Sequence, residues 1–385
     1  MNPAVFTGAE NPMVRLDALK LELLRAGRKT HDFGIGDPLE PMPEFIIRAL
    51  KDAVPPVGQY PRVAGTPAFR AAVAGYLRRR FDVGVDPERQ ILPAAGAKEA
   101  IFHLPLCLID PGSRRRAVIF PEPAYPIYER GCAFAGGEAH PVALHEENGY
   151  LTEPDDLPGE LLDRTALFWI GYPHNPTGAV APRDYLERVA DASRRHGFTV
   201  ASDECYADLY FEAGPPLSYL QVTTEQTLAI HSLSKRSGMT GMRSGFMAGD
   251  PTLIDALKRL RPSIGTASPE FVIAAATAAW ADDAHVAERR RLFGRKRELF
   301  LEFFARAGLR VSASQAGLYL WVEVPGRAAS EPYALELAER TGVIVQPGTF
   351  LGPAGEGFFR LALAPTVAEC REAIAAWEDP SRRPR

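Results

Sequence analysis

The chain has 385 residues, 46% hydrophobic and 24% charged, with a formal net charge of −4 at pH 7. Basic and acidic residues alternate along it without segregating, which excludes the broad positive field needed to hold nucleic acid or an anionic lipid surface. That length exceeds what one hydrophobic core serves, so two domains are expected.

The opening stretch, MNPAVFTGAENPMV, has no basic segment followed by an apolar one, and no run approaches the ~20 apolar residues that span a bilayer. Neither a secretory signal nor a membrane anchor is expected, and the cytoplasm is the expected location. From residue 90 to 250 a rhythm recurs in which a short apolar run, a Gly/Pro/Asn turn and a helical stretch follow one another. Helices are expected over 97–108, 183–196 and 251–260, and strands over 117–120, 166–170, 198–202, 228–231 and 245–248. Unbroken apolar strands alternating with helices predict an α/β fold, a mainly parallel sheet sandwiched by helices. In such sheets ligands sit beyond the carboxyl ends of the strands. After residue 282 the pattern changes to a long charged helix over 287–307, a strand over 317–324, a helix over 332–341, short strands over 343–346 and 358–362, and a helix over 367–377. The expected division is a large domain over 49–282 and a smaller α+β domain built from 1–48 with 283–385. The tail from Asp379 to Arg385, polar and proline-punctuated, is expected to fray. Cys107, Cys132, Cys205 and Cys370 lie far apart without C-x-x-C spacing, which predicts reduced thiols and no structural metal.

The polar motifs fall at the turns after the strands. In SLSKRSGMTGMRSGF (232–246), Lys235 ends an apolar strand with Ser232 and Ser234 before it and Arg243 eight residues on. A lysine on a turn is usually a solvated surface group. Here it stands among phosphate-sized donors, which suits a carbonyl cofactor that carries a phosphate. Gly96, Ala97 and Lys98 open a helix whose free N–H groups form an anion site. Asn175 begins the turn NPTG (175–178). Asp203 and Tyr206 follow the strand over 198–202. The aspartate either caps local backbone or keeps a pyridine nitrogen protonated, and the tyrosine suits a phenolic oxygen.

In order along the chain, GIGDP (34–38), Tyr60-Pro61 with Gly65, GAKEA (96–100), PEPAYP (121–126), NPTG (175–178), DECY (203–206), the Lys235 loop and Phe359-Arg360-Leu361 resemble the fold-type I, class I/II pyridoxal-phosphate-dependent aminotransferases. The resemblance covers essentially the whole chain. It implies a pyridoxal 5′-phosphate cofactor in Schiff-base linkage to Lys235, which also moves the proton between substrate Cα and cofactor. It implies that Asp203 pairs with the ring nitrogen, that Asn175 and Tyr206 bond the phenolic oxygen, and that Tyr125 stacks on the ring. The phosphate falls to Gly96, Ala97, Lys98, Ser232, Ser234 and Arg243. Arg360, helped by the Gly36 backbone and Asn175, takes the substrate α-carboxylate. Tyr60 reaches the neighbouring subunit of a homodimer. The partners are then small amino and 2-oxo acids, with glutamate as donor. Lys98 either meets that donor's distal carboxylate or only lends charge to the phosphate.

Stretches around the cofactor, including Tyr210-Phe211, Pro215-Pro216-Leu217, Ala279-Trp280 and Asp283 to Val286, are most similar to bacterial N-succinyldiaminopimelate aminotransferases of lysine biosynthesis. That implies transamination of N-succinyl-LL-2,6-diaminopimelate with 2-oxoglutarate. Lys98 departs from the usual residue of that subfamily, which keeps aspartate and unmodified diaminopimelate open. A C–S β-lyase would share the same cofactor cup. A cofactor-sensing domain of a transcription regulator would need a DNA-binding segment that the short stretch ahead of Gly34 does not supply. Segments 13–24 and 262–268 are expected to contribute to the side-chain pocket.

Overall fold

The computed structural model describes Val5, residues 13–211 and residues 214–379. The tail expected to fray lies, from 380 onward, outside the described residues. In chain order come α1 (Met13–Arg25), β1 (His31–Asp32), α2 (Glu44–Asp52), α3 (Pro67–Phe81), β2 (Ile91–Ala94), α4 (Ala97–Leu108), β3 (Ala117–Glu122), α5 (Ile127–Phe134) and β4 (Glu138–Ala143). Next are α6 (Gly159–Arg164), β5 (Thr165–Ile170), α7 (Arg183–His196), β6 (Thr199–Asp203), β7 (Thr227–Ser232), α8 (Leu233–Arg236), β8 (Gly245–Gly249), α9 (Pro251–Ser263) and α10 (Glu270–Ala281). Last are α11 (Ala284–Ala307), β9 (Tyr319–Glu323), α12 (Ser330–Thr341), β10 (Val343–Ile344), β11 (Gln346–Pro347), β12 (Phe358–Ala362) and α13 (Val367–Glu378).

A seven-stranded sheet runs in the order β2-β8-β7-β6-β5-β3-β4. Strands β4, β3, β5, β6 and β7 are mutually parallel, and β8 runs antiparallel to both β7 and β2. The fold is α/β with a mainly parallel sheet, as the alternation predicts. Strand side chains alternate between its faces. In β5, Leu167 and Trp169 pack with Ile101 and Leu104 of α4 and Leu257 of α9. Phe168 and Ile170 of the same strand pack with Tyr185, Leu186 and Val189 of α7. Phe246 and Ala248 of β8 meet Val73 of α3 and Ala276 of α10. Burying a large apolar side chain contributes about 1.5–3 kcal/mol, so apolar strands covered on both sides hold this sheet against its helices.

Two strands of the sheet carry no sequence signal of the expected kind. Strand β2 contains Pro93, tolerated because this strand is at the edge. Strand β4 lies at the other edge, with alternate residues exposed, and its sequence EAHPVA has no apolar run. No helix among the described residues is long and apolar enough to cross a membrane.

A second, three-stranded antiparallel sheet has the order β11-β12-β9. Its core joins Phe300, Phe303 and Phe304 of α11, Ala334 and Ala338 of α12, Ile374 of α13, and Met13, Leu16 and Phe33 from the N-terminal segment. The single strand expected over 343–346 is divided. Val343 and Ile344 pair with β1, whereas Gln346 and Pro347 turn to pair with β12. The parallel β1–β10 pair fixes residues 31–32 here and feeds residues 34–40 across the ends of the large sheet's strands. Leu39 N–H bonding the Ala364 carbonyl at 3.1 Å anchors the far side of that crossing.

Candidate active site

Strand β7 ends at Ser232, whose hydroxyl oxygen accepts the Ser234 N–H at 3.1 Å and starts the single-turn helix α8. That turn aims Lys235 into a cavity, where its Nζ donates to the Gly36 carbonyl. The chain then winds back to Arg243, a non-glycine residue at φ +51°, a conformation that costs free energy unless its surroundings hold it. The Arg243 Nη1 donates to the Thr240 carbonyl at 2.8 Å. Its guanidinium lies against Gly96, where an added Cβ would fall 2.5 Å from Nη2 and where φ is +82°. Only glycine fits that place. Directly after it α4 begins, its first N–H groups unpaired by the helix and its dipole positive at this end.

Strand β6 ends at Asp203, which is buried. Its Oδ2 accepts the Tyr128 hydroxyl at 3.0 Å and its Oδ1 the Cys205 N–H at 3.2 Å. Burial raises its carboxyl above the usual range, more than these hydrogen bonds lower it. Tyr128 in turn stacks on Trp169 with ring centroids 4.8 Å apart. The Tyr206 hydroxyl meets that of Tyr319 at 3.1 Å. After β5, the Asn175 turn is closed by a His174–Thr177 side-chain bond of 2.9 Å, and burial holds His174 down at about 3, so it stays neutral.

Opposite these strand ends, Arg360 projects from β12. Its Nη1 donates to Asn175 Oδ1 and its Nη2 to the Gly34 carbonyl, each at 3.0 Å. The guanidinium carbon lies 4.1 Å from the Tyr319 ring centroid. Its buried Nε has no hydrogen-bond partner among the described residues. Tyr319 also packs so closely on Gly36 that a Cβ there would fall 2.2 Å from its hydroxyl.

These groups share one cavity of about 680 Å³. Gly36, Ala97, Lys98, Tyr125, Asn175, Asp203, Tyr206, Ser232, Ser234, Lys235, Arg243 and Arg360 all line it. Gly96 does not, because it sits behind Arg243. Tyr60 does not either; it is fully exposed, at 101%. Residues that sequence reasoning did not single out include Tyr128, His174, Tyr319 and Phe350. Tyr128 carries a usable signal, lying one helical turn after Tyr125. Tyr319 carries none, since an aromatic in an apolar strand reads as core. Of the segments expected to shape the side-chain pocket, 13–24 supplies Met13 and Asp17, whereas 262–268 supplies no lining residue.

Residues 28–376 match the family model described as aminotransferase class I and II. The chain belongs to that family. An LL-diaminopimelate aminotransferase of Desulforudis audaxviator is 36% identical over 368 residues, covering 94% of this aminotransferase and 93% of the relative. A solved single mutant of Thermus thermophilus aspartate aminotransferase superposes with a TM-score of 0.90 at 29% identity, over 98% of each chain. Another Thermus thermophilus structure, described as a "probable N-succinyldiaminopimelate aminotransferase", gives a TM-score of 0.88 at 28% identity, over 95% of this chain and 98% of that one.

The aminotransferase is pyridoxal-phosphate-dependent, and the residues present fit that group. A Cβ at Gly96 would displace the Arg243 guanidinium, which lines the cavity together with Ser232, Ser234 and the first residues of α4. The Asp203 carboxylate, held up by burial, is in the surroundings where a cationic ring N–H would offset its cost of ionisation.

Proposed function

We propose that this aminotransferase takes a diaminopimelate as amino donor and 2-oxoglutarate as acceptor, with unmodified LL-diaminopimelate ahead of its N-succinyl derivative. The observation that carries this is the charge left over at the cavity mouth. Besides the groups assigned below to the cofactor and the α-carboxylate, the lining holds Asp17, Asp37 and Lys98, all three exposed. The far end of LL-diaminopimelate carries both an ammonium and a carboxylate, which match two acids and a base. Succinylation converts that ammonium to a neutral amide and leaves the acids without a partner. The 36% identical LL-diaminopimelate aminotransferase supports the same order. The N-succinyl reading is supported by the cofactor-proximal resemblances and by the 28% identical Thermus structure.

When bound, pyridoxal phosphate supplies the protonated conjugated ring that draws electrons from the substrate Cα. The chain's residues do the rest. Lys235 would hold the cofactor at its aldehyde carbon, and its Nζ would serve as the general base on the substrate Cα proton. Asp203 keeps the ring nitrogen protonated, while Asn175 and Tyr206 donate to the phenolic oxygen, Tyr206 steadied by Tyr319. Tyr125 covers one face of the ring. The backbone at Ala97 and Lys98, with Ser232, Ser234 and Arg243, would hold the phosphate, Gly96 giving the Arg243 guanidinium its room from behind. Arg360, with Asn175 and the Gly36 backbone, forks onto the substrate α-carboxylate. Tyr60, exposed on its own subunit, serves the neighbouring site of a homodimer. We also propose a large cofactor domain and a small domain of both termini, supported by the separation of the seven-stranded sheet from the three-stranded sheet and the β1–β10 pair. Helix α2 crosses position 49 and packs on α10, so the first boundary belongs before Glu44.

The test is a single-turnover screen in which the cofactor's conversion to its amine form is followed spectrally. LL-diaminopimelate and glutamate are expected to react, with N-succinyldiaminopimelate about tenfold slower or more, because a site built for a charged group rejects an analogue that lacks it. Faster reaction of aspartate or aromatic amino acids overturns the donor assignment. Pyruvate released from cystathionine without an oxo-acid acceptor would reveal a β-lyase.

A further inference from the structure

Behind the phosphate end of the cavity lies a buried charged cluster that none of the roles above uses. Arg261, near the end of α9, has 0% exposure. Its Nη2 donates to Glu99 Oε2 at 3.2 Å, and its Nη1 to the Pro93 carbonyl at 2.5 Å and the Val63 carbonyl at 3.4 Å. Glu99 stands in the first turn of α4. Its Oε2 also accepts the Ala95 N–H at 3.0 Å, and its Oε1 meets His103 Nδ1 at 2.8 Å. One carboxylate therefore holds the turn at Ala95 and Gly96 from behind, immediately ahead of the Ala97 and Lys98 amides.

This arrangement has an electrostatic cost. A carboxylate in the first turn of a helix is favoured by the dipole, but a phosphate draws on the same positive end. A half-buried negative charge so close would repel the phosphate unless something neutralised it. Burial pushes the Glu99 carboxyl up, yet His103, Arg261 and the Ala95 N–H together hold it below the ordinary carboxylate range, so it is ionised. Arg261 is the buried cation facing it, and the fork geometry of a guanidinium lets it reach the carboxylate and two carbonyls at once.

We propose that Arg261 is a positioning residue for the phosphate cup, neutralising Glu99 so that a half-buried carboxylate can shape the Ala95–Gly96 turn without repelling the cofactor's phosphate. Through the Val63 carbonyl it ties the same cup to the segment that presents Tyr60. The inference rests on the reading that Ala97, Lys98, Ser232, Ser234 and Arg243 take phosphate.

The experiment compares dissociation constants of pyridoxal phosphate and of pyridoxal, which lacks the phosphate, for the full-length protein stripped of cofactor. The wild type is expected to prefer the phosphorylated form strongly. Arg261→Met is expected to lower that preference about 10–100-fold, the range for a hydrogen bond to a charged group, with pyridoxal binding little changed. Adding Glu99→Gln to Arg261→Met is expected to restore most of the preference, since the unpaired charge is gone. Should Arg261→Met not fold, Arg261→Lys carries the comparison: it keeps the charge and is expected to lose less than tenfold in preference. Equal weakening of both ligands, an unchanged preference in Arg261→Met, or no recovery in the double variant overturns the proposal. A wild type with no preference for the phosphorylated ligand sinks the phosphate cup itself.

Discussion

Asp203, Ser232 and Lys235 stand at the carboxyl ends of neighbouring strands of the seven-stranded sheet, each close to a paired backbone. Ile35 and Asp37 sit instead on a crossing held at one end by the two-residue strand β1 and at the other by the Leu39–Ala364 hydrogen bond, with only Gly36 between them pinned, by Lys235 and Tyr319. The contrast extends to burial. Asp203 is 8% exposed, whereas Ile35 and Leu39 are 53% and 58% exposed. A group that must meet a reacting atom in one geometry needs a floor whose own positions are over-determined. A wall that must fit side chains of different donors is better made from a segment with few contacts, where local opening is easy. Arg360 belongs to the roof by sequence and to the floor by behaviour, because Asn175 and the Gly34 carbonyl lock it from both sides.

Substitutions can break this contrast. The largest effect is expected from Lys235→Ala, which should abolish the borohydride-reducible covalent attachment of the cofactor to the protein and slow transamination by at least about 10²–10⁴-fold, the range for loss of a positioned general base. Near-normal turnover would end the assignment of the floor. Arg360→Lys keeps the charge but not the fork. It should raise KM for amino donors about 10–100-fold with cofactor binding unchanged, as steady-state kinetics against cofactor titration will show. Asp203→Asn tests the floor through pH. Burial raises the folded pKa of Asp203 above its unfolded value of about 3.9, so ionisation costs the cofactor-free fold nothing below that value and progressively more as pH rises through the folded pKa. The cofactor-free variant should therefore melt higher than the cofactor-free wild type at pH 7, and the gap should close near pH 4. A gap that widens on acidification contradicts the sign. The smallest effect is expected from Ile35→Ala, within about 0.5 kcal/mol in stability, with a severalfold change in KM for the larger donors alone. A melting loss comparable to that of truncating Trp169 would show that roof and floor are one rigid body.

Much of the floor is legible in the sequence alone. An apolar run that stops at a Gly/Ser or Asp-containing turn marks the end of a buried strand, and Asp203, Ser232 and Lys235 sit at such stops. Gly36 and Arg360 are different. Nothing in their local pattern separates a strand arginine or a turn glycine from ordinary structure, and only the family resemblance singled them out. Tyr319 stayed hidden because an aromatic placed to hold a functional group has the same periodicity as one placed to fill a core, whereas Tyr128 was legible only through its spacing from Tyr125. Arg261 stayed hidden for the opposite reason, since a lone arginine near a helix end reads as solvated surface.

Local alternation and turn chemistry determined, from the sequence alone, that this chain forms a mainly parallel sheet between helices, and the ordered motifs determined its family. The tertiary structure alone decided that Arg360 would reach the Gly34 carbonyl, 326 positions away in sequence, that Glu99 would find Arg261, and that the Asp203 carboxylate would be buried at the cavity floor. Those outcomes depend on which strands become neighbours and how the chain crosses over their ends. Both are set by the packing of distant surfaces, a quantity that no local stretch of sequence carries.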